Sequence, residues 1–158
     1  MYLLFPVVLA AAIFVGVSGA SLPPIVAAHF SAGGAGNGFM PRDAYLGTMV
    51  ALVVGLPLLI GMLAALASRL PVRFISLPDR DYWLAPERSE ETRAFLRRHG
   101  SYFAVVLAVV LCFIHGLVVA GNGQSPARFP ETSLYAGAAA FVFVLAAWTR
   151  AFLAHFRR

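Results

Sequence analysis

The sequence predicts an all-α membrane protein with four transmembrane helices and both the N and C termini in the cytoplasm. Three observations lead there. The 158 residues are 60% hydrophobic and only 12% charged, where ordinary soluble domains carry roughly 25% charged residues. Mean hydropathy is +0.80. A soluble fold of this size has too little interior to hide that much apolar surface, so much of it must face lipid. Four separate stretches are each apolar over the roughly 20 residues that a membrane helix needs. The cations, finally, are all arginines, and they are spread very unevenly between the loops.

The first span, about 2–20, carries no charge. Ser18-Gly19-Ala20 ahead of Ser21 satisfies the small-x-small rule for signal-peptide cleavage. Against that, no Lys or Arg precedes the run, which is long for a signal sequence; it is read as a retained helix. Outer loop 21–43 opens on Leu22-Pro23-Pro24, which cannot extend a helix, because proline lacks the amide hydrogen and restricts the residue before it. Ile25–Phe30 reads as a short interfacial turn or extended piece. Gly33, Gly34 and Gly36 loosen the chain, and Asn37-Gly38 is the turn signal that sends it back.

The second span, 45–67, is again uncharged and should bend at Pro57. Ala12, Gly16 and Ala20 on the first span, and Gly61 and Ala65 on the second, are small residues at helical spacing. Such ridges let helices approach closely in lipid, within the bundle or against a partner subunit. In loop 68–99, Phe74, Ile75, Leu77, Tyr82 and Trp83 are interleaved with Arg73 and Arg80. Because Tyr and Trp favour the headgroup region, this loop reads as lying on the inner leaflet or as recognising a partner. Ser89-Glu90-Glu91 starts a helix, with acids at the positive end of the dipole. That helix should run through Arg98 and break or bend near Gly100. The third span, 102–121, holds the single cysteine, Cys112, and His115. After outer loop 122–132, the fourth span, 133–153, is clean until Arg150, which can snorkel to the interface.

The arginines orient the spans. Of twelve, seven lie between Arg69 and Arg98 and three are Arg150, Arg157 and Arg158; only Arg42 and Arg128 fall by the other loops. The positive-inside rule places loop 68–99 and both termini in the cytoplasm and the other two loops outside. The formal net charge of +5 is thus a record of topology, and nucleic acid is not an expected partner. Cytoplasmic-side His99 and His155 should simply meet headgroups or water.

Chemistry-bearing patterns are few. No CxxC, HExxH, GxSxG or P-loop pattern occurs, and the glycines at 33–38 do not follow a strand-to-helix context for nucleotides. One cysteine excludes an internal disulfide. His29, on the outer loop, and His115, about six residues from the outer end of the third span, could in principle join Asp43 or Glu131 as a zinc site with an open position. Nothing in the spacing supports it. His29 bonding a loop carbonyl and His115 bonding to another helix are the expected fates. No catalytic residue, metal or cofactor is predicted.

Leu22-Pro23, Val26 and His29-Phe30, followed by Gly34 and Asn37-Gly38-Phe39, resemble the L-P-x-x-I-P-x-H-F and G-x-x-[DN]-G-[WF] elements of a bacterial membrane domain of unknown function. That family includes the N-terminal part of the Sdp-type toxin-immunity proteins. Leu77–Arg88 is similar to a stretch common in its members, although Ala27 stands where the family has its second proline. The resemblance implies a multi-pass protein of the bacterial inner membrane with an immunity, sensing or accessory role. The expected function is therefore non-enzymatic: binding of another membrane protein or a peptide through the outer loop, at His29, Phe30, Asn37, Gly38 and Phe39, with Tyr82 and Trp83 as a second surface. A small accessory subunit of a larger complex, a possible oligomer, and less readily a metal-dependent enzyme or transporter are the alternatives.

Overall fold

The computed structural model describes residues 3–157, so Tyr2, which opens the first expected span, and Arg158 lie outside the described residues. The described chain holds five α-helices and one small sheet: α1 (Leu4–Gly19), β1 (Ile25–Phe30), β2 (Gly36–Pro41), α2 (Arg42–Ala67), a 3-10 turn at Val72–Phe74, α3 (Arg80–Trp83), α4 (Ser89–Asn122) and α5 (Glu131–His155). Three helices, α2, α4 and α5, are long and apolar enough to cross a membrane. At 1.5 Å per residue, the 16 residues of α1 extend only about 24 Å.

The bundle proper is α1, α2 and α4. Leu4, Val8, Ala11, Val15 and Gly19 form the buried stripe of α1, with steps of four, three, four and four that hold them on one helix face. Tyr45, Met49, Val53, Pro57 and Gly61 do the same on α2. Gly19 lies against Leu46, and a Cβ at Gly61 would fall 2.6 Å from Leu4 Cδ2. Those two contacts, at opposite ends of both helices, make α1 antiparallel to α2 over nearly its whole length. The small-residue ridge expected on the first span is shifted by one position. Gly16 faces open space, and Ala11, Val15 and Gly19 take the interface, because the larger Leu4 and Val8 set the helix rotation. Exposed Phe5, Leu9, Ile13 and Val17 fill the outward face.

Two further expectations are corrected. Ile25–Phe30 is an extended piece, one of its two expected forms: a strand paired antiparallel with β2 in a hairpin. Its turn is not at Asn37-Gly38. The reversal spans Ser31–Ala35, closed by Ser31 N–H to Ala35 O (2.8 Å), and Gly34 supplies the left-handed φ of +78° that a side chain would resist. Asn37 and Gly38 sit inside β2, where Gly38 lies opposite His29 and a Cβ would be 2.9 Å from the His29 Cβ. Gly38 is there to let strands close, and the turn preference of Asn-Gly is overridden. Nor does Gly100 break anything, since α4 is continuous over 34 residues. Gly100 is where α4 meets Ala64 of α2 too closely for a Cβ. The third expected span, 102–121, is therefore the C-terminal part of a longer helix.

α5 is different. None of its residues is buried, and Val142 and Phe143 are 63% and 76% exposed. It touches α4 where Gly137 meets Phe113 and through an aromatic cluster at its C-terminal end.

Candidate functional site

The hairpin end of the bundle is built on a buried polar hub. His115 of α4 is fully buried, with Ser18 Oγ 2.9 Å from its Nε2 and Tyr45 Oη 2.9 Å from its Nδ1. Ser18 donates its hydroxyl hydrogen to Phe14 O, so it must accept from Nε2–H. Nδ1 then accepts from Tyr45, and the proton positions follow from the chain of donors. Tyr45 also stacks on the imidazole at 5.7 Å, and Phe14 meets its edge at 5.8 Å. One histidine thus ties α1, α2 and α4 together with no polar atom unpaired. The expected interhelical bond of His115 is present, with two partners.

Above the hub, Asn122 ends α4 and clamps the hairpin. Its Oδ1 accepts from Ala27 N–H (2.8 Å), and its Nδ2 donates to Ala27 O (3.0 Å) and Val118 O (2.9 Å). Ala27 is fully buried, so these bonds satisfy both backbone groups that face away from β2. Loop 123–130 fastens the other side: Gly36 N–H donates to Ala127 O (3.1 Å) and Phe129 N–H to Gly34 O (2.7 Å). Phe30 packs on Phe129 with ring centroids 4.8 Å apart. Leu22 and Val26 are buried in the same core cluster as Val15, Tyr45 and Val118.

The predicted outer-loop residues separate into two groups. Phe30 is half-buried and structural, and Gly38 serves strand closure. His29, Asn37 and Phe39 are exposed, Phe39 by 62%, and Ile25 beside them by 57%. His29 makes no side-chain hydrogen bond among the described residues, contrary to its expected carbonyl contact. The hairpin therefore exposes an imidazole, a carboxamide and two large apolar groups on a fixed backbone, with His29 on the side of Gly38 and Phe39, by strand alternation, on the other. That suits recognition; no nucleophile–base pair lies on it. His115 has no ring nitrogen left to join His29 at a metal, since both are already committed to Ser18 and Tyr45. Among the described residues no group of three or more His, Cys, Asp or Glu could hold a metal ion.

At the opposite end, Trp83 is a packing residue. It stacks on His155 at 5.7 Å and meets Phe156 edge-on at 5.4 Å, while Thr92 Oγ1 donates to Trp83 O (2.8 Å). Tyr82 is 37% exposed beneath the Arg88 guanidinium, 4.1 Å away. His99 and His155 do not merely meet solvent. His99 is buried against Trp148 at 4.2 Å, and His155 stacks on Phe95 at 3.7 Å. Apolar rings above and below replace the expected headgroups. This cluster docks α3 and α5 onto α4.

Sequence reasoning missed Ser18, Tyr45 and Asn122. Each lies at the edge of an apolar run, where a lone polar side chain is the available signal. Comparison with family models, curated proteins and solved structures returned no match.

Proposed function

We propose that the chain is a non-enzymatic protein of the bacterial inner membrane that crosses the bilayer four times, keeps both termini in the cytoplasm and binds another membrane protein or a peptide through its outward hairpin. One observation carries the reading. Asn122 holds both free backbone groups of Ala27, while Ile25, His29 and Phe39 on the same hairpin remain exposed. A rigid scaffold presenting a chemically distinct loop is how small proteins place recognition. The motif residues Leu22, Val26, His29 and Gly34 favour the immunity, sensing or accessory role implied by the family they resemble.

The antiparallel run of α1 beside α2 supports α1 as a fourth crossing: it is short, but it covers the same slab from Leu46 to Gly61. The arginine asymmetry supports the orientation. A reporter active only outside the cytoplasm, fused at Ser125, should be on, and one fused after Arg158 should be off. The reverse at either point would remove the outward hairpin from this reading.

Binding is tested with a photo-crosslinking phenylalanine analogue at position 39 in living cells. A discrete protein adduct is expected there, and only lipid adducts at position 143 on α5. No protein adduct at 39 overturns the hairpin reading. A protein adduct at 143 instead would favour the second reading, an accessory subunit, which rests on the exposed apolar face of α5 around Val142, Phe143 and Val144.

A further inference from the structure

Along α5, Val142, Ala146, Thr149, Arg150, Leu153 and Arg157 line one shallow trough of about 550 Å³. The first five, at steps of four, three, one and three, keep to a single face of a 3.6-residue helix; Arg157 follows two residues past the helix end at His155, and all six are exposed. The trough has two chemically distinct halves. Val142, Ala146 and Leu153 are apolar and belong to the stretch that reads as membrane-spanning. Thr149 adds a hydroxyl, and Arg150 and Arg157 add two guanidiniums. Neither arginine forms an ion pair with an acid among the described residues, where the salt bridges are Arg42–Asp43 and Arg80–Asp81.

In a bilayer, the medium against this face is lipid. An apolar strip ending in two unneutralised guanidiniums matches an acyl chain ending in a phosphate, which guanidinium recognises with paired hydrogen bonds. Arg157 stands just past the end of α5, where its N–H donates to Ala154 O (3.4 Å), and the long stems of the two arginines can converge on one headgroup zone. One force opposes this: the C-terminal carbonyls of α5 present the negative end of the helix dipole. The phosphate must therefore be held by side chains, off the helix axis. A partner helix on this face would have to bury both guanidiniums and supply acids for them.

We infer that this face of α5 is a binding site for an anionic phospholipid, with phosphate on Arg150 and Arg157, the Thr149 hydroxyl donating to it, and one acyl chain along Val142 to Leu153. It requires α5 to lie in a bilayer and is independent of what the hairpin binds.

The test uses the purified full-length protein in detergent, with bound lipid counted by native mass spectrometry. Phosphatidylglycerol and phosphatidylcholine of identical acyl chains are titrated separately, and inorganic phosphate is added as competitor. Wild type should prefer phosphatidylglycerol, and Arg150→Gln with Arg157→Gln should weaken its binding roughly thirtyfold, bringing the two lipids level. Ala146→Phe, which fills the apolar half, should weaken both lipids together. Arg69→Gln with Arg73→Gln, elsewhere in the arginine-rich end, should keep the preference. Helix content by circular dichroism checks folding, and these exposed positions should leave it unchanged. Equal binding of the two lipids by wild type overturns the proposal, as does an unchanged preference in the Arg150/Arg157 variant. Loss of preference in the Arg69/Arg73 variant would mean diffuse charge and also overturns it. Displacement by inorganic phosphate would mark a free-anion site and not a lipid site.

Discussion

Replacing His115 by leucine should lower the stability of the helix bundle by about 2–4 kcal/mol. The imidazole has no contact with water, and its two nitrogens are the partners of Tyr45 and Ser18. The two losses are unequal. Ser18 keeps its bond to Phe14 O. Tyr45, only 5% exposed, loses its acceptor on His115, and stranding a buried hydroxyl costs roughly 1–3 kcal/mol. Interhelical hydrogen bonds in lipid are themselves modest, averaging about 0.6 kcal/mol, so the stranded hydroxyl and the lost ring stacking dominate. This ordering gives a sharp check. In a Tyr45→Phe background no hydroxyl is left to strand, so His115→Leu should cost at least 1 kcal/mol less than it does alone. Denaturant unfolding in micelles, followed by circular dichroism, measures all four members of the cycle. Additive losses would mean that His115 acts through packing and not as the hub of the hydrogen-bond chain.

How this hub could be read in the sequence differs from residue to residue. A histidine in a run of Val, Leu and Phe must find a partner, because an unpaired polar group in an apolar medium is costly, so the interhelical bond of His115 was legible. Its partners were not: Ser18 and Tyr45 are 97 and 70 residues away, and one sequence contains no trace of that proximity. Long apolar runs made α2, the C-terminal part of α4 and α5 legible for the same reason that membranes select them. The hairpin was hidden by its composition. Ile25–Phe30 is mostly apolar without alternation, since Val26 and Ala27 are both buried and the register shifts between Ala27 and His29. Asn37-Gly38 carries the stronger local turn signal, yet Gly34 turns the chain because loop 123–130 grips that point. Glycine was read as a breaker at 100 and proved to be a contact, which depends on Ala64 of another helix. In each case the missing information is tertiary and pairwise.

Asn122 is the residue on which the proposed recognition surface depends, and Asn122→Ala should free the hairpin while leaving the helices packed. The substitution removes two bonds to Ala27 and leaves a fully buried N–H and C=O without partners. At roughly 1–3 kcal/mol for each of the two unsatisfied groups, the local cost is about 2–6 kcal/mol. A two-stranded hairpin has little stability of its own, so that cost exceeds what β1 and β2 can absorb. The bundle interfaces of α1, α2 and α4 do not involve Asn122 and hold against it. Local opening is thus the cheapest response. Hydrogen exchange should accelerate about a hundredfold at the backbone amides of Val26 to Phe30, with little change in the α2 and α4 interior. Protein adducts to a crosslinker at position 39 should fall in parallel, because a mobile hairpin must be ordered again on binding. Asn122→Asp separates the clamp from mere bulk: it keeps the acceptor for Ala27 N–H, loses the donor to Ala27 O, and should fall between wild type and alanine. Unchanged exchange at Val26 to Phe30 in the alanine variant would show that loop 123–130 alone fixes the hairpin. Accelerated exchange with undiminished crosslinking would detach recognition from rigidity and leave Phe39 to bind by its side chain alone.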